Sequence, residues 1–167
     1  MMAVIAAIEK QIVEIEAAIV ETIAAEPLLR TRHALLLSIP GIGTLSAAII
    51  LVEMPEPQAL GRARAAAAYA GLNPSRCTSD SSIDRPTRIS RIGNATLRRA
   101  LYFPALSALK HNPLVKALRE RLAAKAGFKP KQIIAAAMRK LLHLCYGVLK
   151  TGEKFDPDWS VADTAAP

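Results

Sequence analysis

An all-α fold, a compact helical domain preceded by a coiled-coil-like helix, is predicted by three features of this chain. Its 167 residues are 51% apolar but only 4% aromatic. Much of the apolar share is Ala, the strongest intrinsic helix former, whose small side chain lets helices pack closely. Isoleucines recur at 5, 8, 12, 15 and 19, the 3-4 spacing of one helical face. The breaks fall on helix punctuation, namely Pro27, Pro55 with Pro57, Gly71, Asn94, Asn112-Pro113 and Pro130.

Residues 3–25 read as one helix. Ile5, Ile8, Ile12, Ile15 and Ile19 form an a/d seam of about two and a half heptads. A helix this short is marginal alone in water, so its stripe must bury against a partner chain or against its own domain. Ile at both a and d even permits more than two strands. Glu9, Glu14, Glu16 and Glu21 lie off the seam and Glu26 follows, so this end is acidic and unsuited to nucleic acid. Pro27 closes it. The expected division is 1–27 for this helix, 28–157 for the helical domain and 158–167 for a loose tail.

Residues 28–53 read as a helical hairpin. Ala34 to Leu37 run into Ser38-Ile39-Pro40-Gly41-Ile42-Gly43, and Thr44 opens a second helix through Ile50. That is the sequence form of a helix-hairpin-helix. Gly41 and Gly43 lack Cβ atoms, so a phosphate can approach the backbone. The first turn from Thr44 offers free N–H groups and a partial positive charge. An ordinary αα-hairpin uses the same residues.

Pro55 and Pro57 end the second helix. A helix over 58–70 carries Arg62, Arg64 and the Ala65 to Ala68 run, with Gly71 as its C-cap and Asn73-Pro74 as a turn. Residues 73–93 are irregular, and part of them permits a short strand pair. Asn94 caps a helix from Ala95 to Lys110, bent at Pro104. Asn112-Pro113 opens a helix to Ala126, and Pro130 opens the last, to Lys150.

The net charge is +8 and the isoelectric point about 9.9, which suits a polyanion partner. From Arg62 to Arg99 every cation is Arg (Arg62, Arg64, Arg76, Arg85, Arg88, Arg91, Arg98 and Arg99), against Asp80 and Asp84 alone. The guanidinium fork fits phosphate. With Gly41, Gly43, Thr44 and Asn94, these residues are the candidate nucleic-acid contacts. This reading requires the glycine corner and the arginine-rich loop to share one surface. The loop also holds Ser75, Thr78, Ser79, Ser81 and Ser82, with no His or Lys beside them. A Ser can attack phosphorus if guanidiniums stabilise the developing charge and a base or metal takes its proton.

Several classes drop out. Cys77 and Cys145 have no CxxC spacing and read as reduced thiols. His33, His111 and His143 have no metal-ligand spacing, so no metal site is expected. His143 reads as a packed or capping side chain. No apolar run reaches the ~18–20 residues a membrane span needs, and no basic start precedes an apolar core. A cytoplasmic protein is expected.

Three stretches in order, Ser38-Ile-Pro-Gly-Ile-Gly, Ala67-Ala-Tyr-Ala-Gly-Leu-Asn-Pro74 and Arg88-Ile-Ser-Arg-Ile-Gly-Asn-Ala-Thr-Leu-Arg98, resemble the C-terminal Tnp domain of one family of bacterial insertion-sequence transposases. The likeness covers roughly residues 30–157, and residues 3–25 resemble part of a coiled coil. The resemblance implies an N-terminal RuvC-like domain with a DEDD set, joined through that coiled coil to a serine-bearing domain. It implies DNA as substrate and a structured bridge RNA as guide. It places the nucleophile at Ser79. The family pattern follows this Ser with Gly, whereas Asp80 stands here. Gly would allow close phosphate approach, and Asp adds a repelling carboxylate. Met1-Met2 directly precedes the coiled-coil segment, so the RuvC-like domain is expected to lie outside this polypeptide. No cofactor is expected in the chain itself, and a divalent metal would come through that other domain. The implied function is DNA binding and strand transfer through Ser79, with association through the Ile seam. The alternatives are a non-catalytic DNA- or RNA-binding module, a truncated transposase relic, and a purely structural helical adaptor.

Overall fold

The computed structural model describes residues 1–75, 88–90, 92–125 and 127–158. It is all-α apart from one two-residue strand pair, as the composition predicts. α1 (Met2–Ala25), α2 (Pro27–Leu37), α3 (Thr44–Glu53), α4 (Pro57–Leu60) and α5 (Ala63–Tyr69) come first. β1 (Pro74–Ser75) pairs antiparallel with β2 (Arg88–Ile89), and α6 (Ala95–Ala100), α7 (Tyr102–His111), α8 (Pro113–Ala123) and α9 (Pro130–Thr151) follow.

Three boundaries differ from expectation for local reasons. Pro27 does not only close α1. It is the first residue of α2, where a missing N–H costs nothing. The 58–70 helix is two pieces, because Gly61 at φ 67° reverses the chain after α4 and Arg62 leaves extended. The bend expected at Pro104 is a break at Leu101 between α6 and α7. Pro104 has no N–H for the Ala100 carbonyl and its ring crowds it, so the ladder restarts one turn earlier. Asn94 and Asn112 cap as expected: Leu97 N–H donates to Asn94 Oδ1 at 2.9 Å, and Leu114 and Val115 N–H donate to Asn112 Oδ1 at 3.1 and 3.2 Å.

α9 is the central helix, packed against α2, α4, α5, α7 and α8. It buries Ala137, Met138, Leu141, Leu142, Cys145, Tyr146 and Val148. Leu36, Ile39, Ile50, Leu72, Leu97 and Leu101 complete a fully buried centre around it. Burying each such side chain is worth about 1.5–3 kcal/mol relative to exposure. α1 lies across α2 and α3 without burying a single residue. Ile5, Ile8, Ile12 and Ile15 stay 47–61% exposed, and Ile19 is half-buried. Most of the seam therefore faces away from its own domain.

Candidate nucleic-acid interface

The corner between α2 and α3 is built mainly to pack. Ile39 and Ile42 point into the core. Gly41 has φ +106°, and a Cβ there would lie 2.8 Å from the Cβ and N of Ala108. The glycine thus lets α7 rest on the turn. The Pro40 carbonyl accepts from Asn112 Nδ2 at 3.4 Å, and the Thr44 carbonyl is hydrogen-bonded to His33 Nε2 at 3.0 Å. Gly43 is open and Thr44 exposed, and no side chain caps the α3 amides. These amides border a groove lined by Val13, Glu16, Ala17, Val20 and Glu21 of α1 together with Thr44 and Leu45. The acidic helix therefore sits beside the positive end of α3.

The second and third stretches of the resemblance meet and clasp each other. Asn94 N–H donates to the Tyr69 carbonyl at 2.6 Å, and Ser90 N–H to the Asn73 carbonyl at 2.8 Å. Arg98 Nη1 donates to the Ala70 carbonyl at 2.9 Å, satisfying the end of α5. Asn94 Nδ2 donates to Glu53 Oε2 at 2.7 Å, which ties the clasp to the last turn of α3. Gly93 stands at φ +138°, and a Cβ there would overlap the Tyr69 carbonyl oxygen and come within 2.8 Å of Gly71 N. β1 and β2 extend the closure, pairing Pro74 with Ile89 and Ser75 with Arg88. The clasp thus brackets the segment that carries Ser79.

Ser79, Arg76, Arg85 and Arg91 lie outside the described residues, and Arg88 is described by its backbone alone. Asn94 and Arg98 are held by intramolecular bonds. Arg62, Arg64 and Arg99 are exposed, the first two at the start of α5 and the last at the end of α6. The corner and the clasp do not meet. They stand at opposite ends of α3, about 14 Å apart by helical rise.

The family model described as Transposase IS116/IS110/IS902 matches residues 33–120, a span that includes both corner and clasp. The chain belongs to this transposase family. A pilin gene-inverting protein of Moraxella bovis is 35% identical over 146 residues, 87% of this chain and 45% of its own length. An uncharacterized 43.6 kDa protein of insertion element IS110 from Streptomyces coelicolor is 28% identical over 150 residues, 90% of this chain and 36% of its own. A putative transposase of Sinorhizobium fredii is 29% identical over 126 residues, 72% of this chain. The chain spans less than half the length of these relatives.

Attention to arginines before Arg99 missed a second basic region of this transposase-family chain. From Lys110 to Lys140 it has Lys or Arg at nine positions and one acid, Glu120. Spread over two amphipathic helices, those charges look like solvated faces. The structure brings Arg121 of α8 beside Lys140 of α9, and Arg64 of α5 within electrostatic reach of His143. Elsewhere, Cys145 is buried and burial pushes its thiol up to about 12, so it is no nucleophile near neutral pH. Among the described residues no group of three or more His, Cys, Asp or Glu fits a metal, and no helix is long and apolar enough to cross a membrane.

Proposed function

We propose that the chain is the DNA-binding and strand-transfer part of an insertion-sequence transposase, with Ser79 as nucleophile. The observation that carries this reading is the clasp. The two stretches that identify the family spend their glycines, Asn94 and Arg98 on closing the base of one segment, and that segment holds Ser79 and four arginines. A fold that commits so many internal bonds to the two ends of one segment supports a role for that segment. In the proposed step Ser79 Oγ forms a bond to the phosphorus of a DNA phosphodiester. The bond from phosphorus to one deoxyribose oxygen breaks, the serine proton passes to a base, and the departing oxygen takes up a proton. Arg76, Arg85, Arg88 and Arg91 would neutralise the charge that builds on the phosphoryl oxygens. Arg62, Arg64 and Arg99 would hold flanking phosphates, while Gly43 and Thr44 would offer amides to another. A structured RNA guide is a second polyanion for the same arginines. A divalent metal would come through the RuvC-like domain, and no step here is routed through one. Copies of the chain would associate through Ile5, Ile8, Ile12 and Ile15.

The test is a protein–DNA adduct that survives denaturation, sought with the chain alone and with an added RuvC-like partner and Mg2+. Adduct from the wild type and none from Ser79→Ala is the expected result. Adduct that persists in Ser79→Ala removes the nucleophile. Asp80 favours a second reading, a binding module without catalysis, because a carboxylate beside Ser79 repels phosphate. Salt-sensitive nucleic-acid binding with no adduct under either condition selects that reading.

A further inference from the structure

We infer that the strip of α9 facing α8 is a phosphodiester-binding trough, with Lys140 at its centre and Arg121 on the α8 bank. It would hold a polynucleotide backbone separately from the Ser79 segment. The inference rests on the nucleic-acid reading above.

Leu114, Ala117, Leu118 and Arg121 recur at 3-4 spacing along one face of α8. This face lines a cavity of about 240 Å³ whose remaining wall is Lys140. A single water needs only about 10–15 Å³ of such space, so a far larger group fits. Arg121, itself exposed, occupies the fourth position of this stripe, opposite a half-buried lysine. The exposed guanidinium works against an ammonium that burial already disfavours, and an anion between them would relieve Lys140 of both effects. Among the described residues the ion pairs are Lys10–Glu14 and Arg32–Glu56, so neither Arg121 nor Lys140 has a carboxylate partner.

The same imbalance continues along the strip. Burial first, then Arg121, pushes the Lys140 ammonium down. One turn on, burial first and then Arg139, Lys140 and Arg64 hold His143 down to about 4. His143 Nε2 is buried and has no hydrogen-bond partner among the described residues. Two helices therefore turn cations toward one strip that has no carboxylate partner among the described residues. A chain of phosphates would supply the counter-charge, and each contact would release a condensed counterion. No aromatic ring lines the cavity, so bases have nothing to stack on and the contact is to backbone.

The experiment measures binding of the full chain to duplex DNA and to single-stranded RNA from 50 to 200 mM salt. The wild type is compared with the Arg121→Gln/Lys140→Gln double variant. Losing two phosphate contacts lowers the slope of log K against log salt by about 1.8 on duplex DNA or about 1.4 on single-stranded RNA. On DNA the wild type then loses about twelvefold more affinity than the variant over that fourfold rise in salt. The polymer that shows the change names the ligand. The variant should melt at the wild-type temperature or above, because a repulsion is gone. An unchanged slope on both polymers, with wild-type binding intact, overturns the trough and leaves the nucleic-acid reading standing. A fall in melting temperature beyond about 5 °C, over 1 kcal/mol for a chain this long, overturns it too, since the cations would then be stabilising the fold. A wild type that binds neither polymer overturns both ideas.

Discussion

Gly93→Ala isolates the clasp from every charge on the surface. The substitution adds one methyl group at φ +138°, where an L residue is strained by about 1–3 kcal/mol. That methyl overlaps the Tyr69 carbonyl oxygen and meets Gly71 N at 2.8 Å, whereas ordinary contact begins near 3.4 Å. Both neighbours are backbone, so neither can swing aside. The segment must lift and stretch the 2.6 Å bond from Asn94 N–H to the Tyr69 carbonyl, a further loss of about 1 kcal/mol. Reduced freedom of the unfolded chain returns about 0.4–1 kcal/mol. The net cost is about 1–3.5 kcal/mol, or about 2–14 °C in melting temperature for a chain of this size. Circular dichroism reads the melt, and the denaturation-resistant DNA adduct reads the function. The adduct should fall with the clasp although no cation has changed. A variant that melts within 2 °C of the wild type would falsify the close-approach argument. A destabilised variant with full adduct would detach the clasp from the activity proposed for the Ser79 segment.

Protonating His143 should destabilise the fold. Its native value of about 4 lies below the ordinary 6.5, so the unfolded chain binds the proton first and stability falls as pH drops from 6.5 toward 4. After discounting for its solvent-open side this amounts to about 1–2 kcal/mol, and His143→Gln should flatten that part of the melting-versus-pH curve. Asn112→Ala removes the acceptor for two α8 amides and the donor to the Pro40 carbonyl at a fully buried site. It should cost about 2 kcal/mol, or about 4–8 °C by calorimetry. Ile8→Asn/Ile12→Asn should convert an associating chain into a monomer by sedimentation without lowering the melting temperature of the domain; a wild type that is monomeric at high concentration refutes the seam. Thr44→Glu should leave the melting temperature within about 2 °C, because the gain of a carboxylate at a helix N-terminus is offset by repulsion from Glu16 and Glu21 across the groove, while weakening nucleic-acid binding. Unchanged binding would remove the corner from the interface.

The fold was legible where one residue type acts locally. Asn94 and Asn112 caps, Pro113 and Pro130 starts and the Gly41 turn all follow from backbone chemistry, and the structure has each of them. What the sequence did not disclose depends on partners distant in the chain. Asn94 reads as a cap and a phosphate contact, and Gly93 as the end of an irregular stretch, until Tyr69, Gly71 and Glu53 arrive beside them. Gly41 suggests phosphate approach, but Ala108 lies against it. Arg98 reads as one more phosphate ligand, but its fork serves the Ala70 carbonyl. The pairing of Arg121 with Lys140 joins residues nineteen positions apart on two helices whose crossing no periodicity predicts.

The separation along α3 changes what a bound polynucleotide would have to do. The expectation from sequence was one surface combining the glycine corner with the arginine-rich loop. The corner stands at the N-terminus of α3, next to Glu16 and Glu21, and the clasp is tied to its C-terminus through Glu53. Duplex DNA advances about 3.4 Å per base pair, so the ~14 Å between them covers about four base pairs. One phosphate cannot serve both ends, but one duplex lying along α3 could. Such a duplex would meet the α1 carboxylates at one end, where repulsion weakens any grip by the Thr44 amides. At the other end it would meet the clasp, from which the segment bearing Arg76 and Arg85 departs and returns in the sequence. Charge therefore favours the clasp end, away from the acidic helix, as the place where the backbone is held.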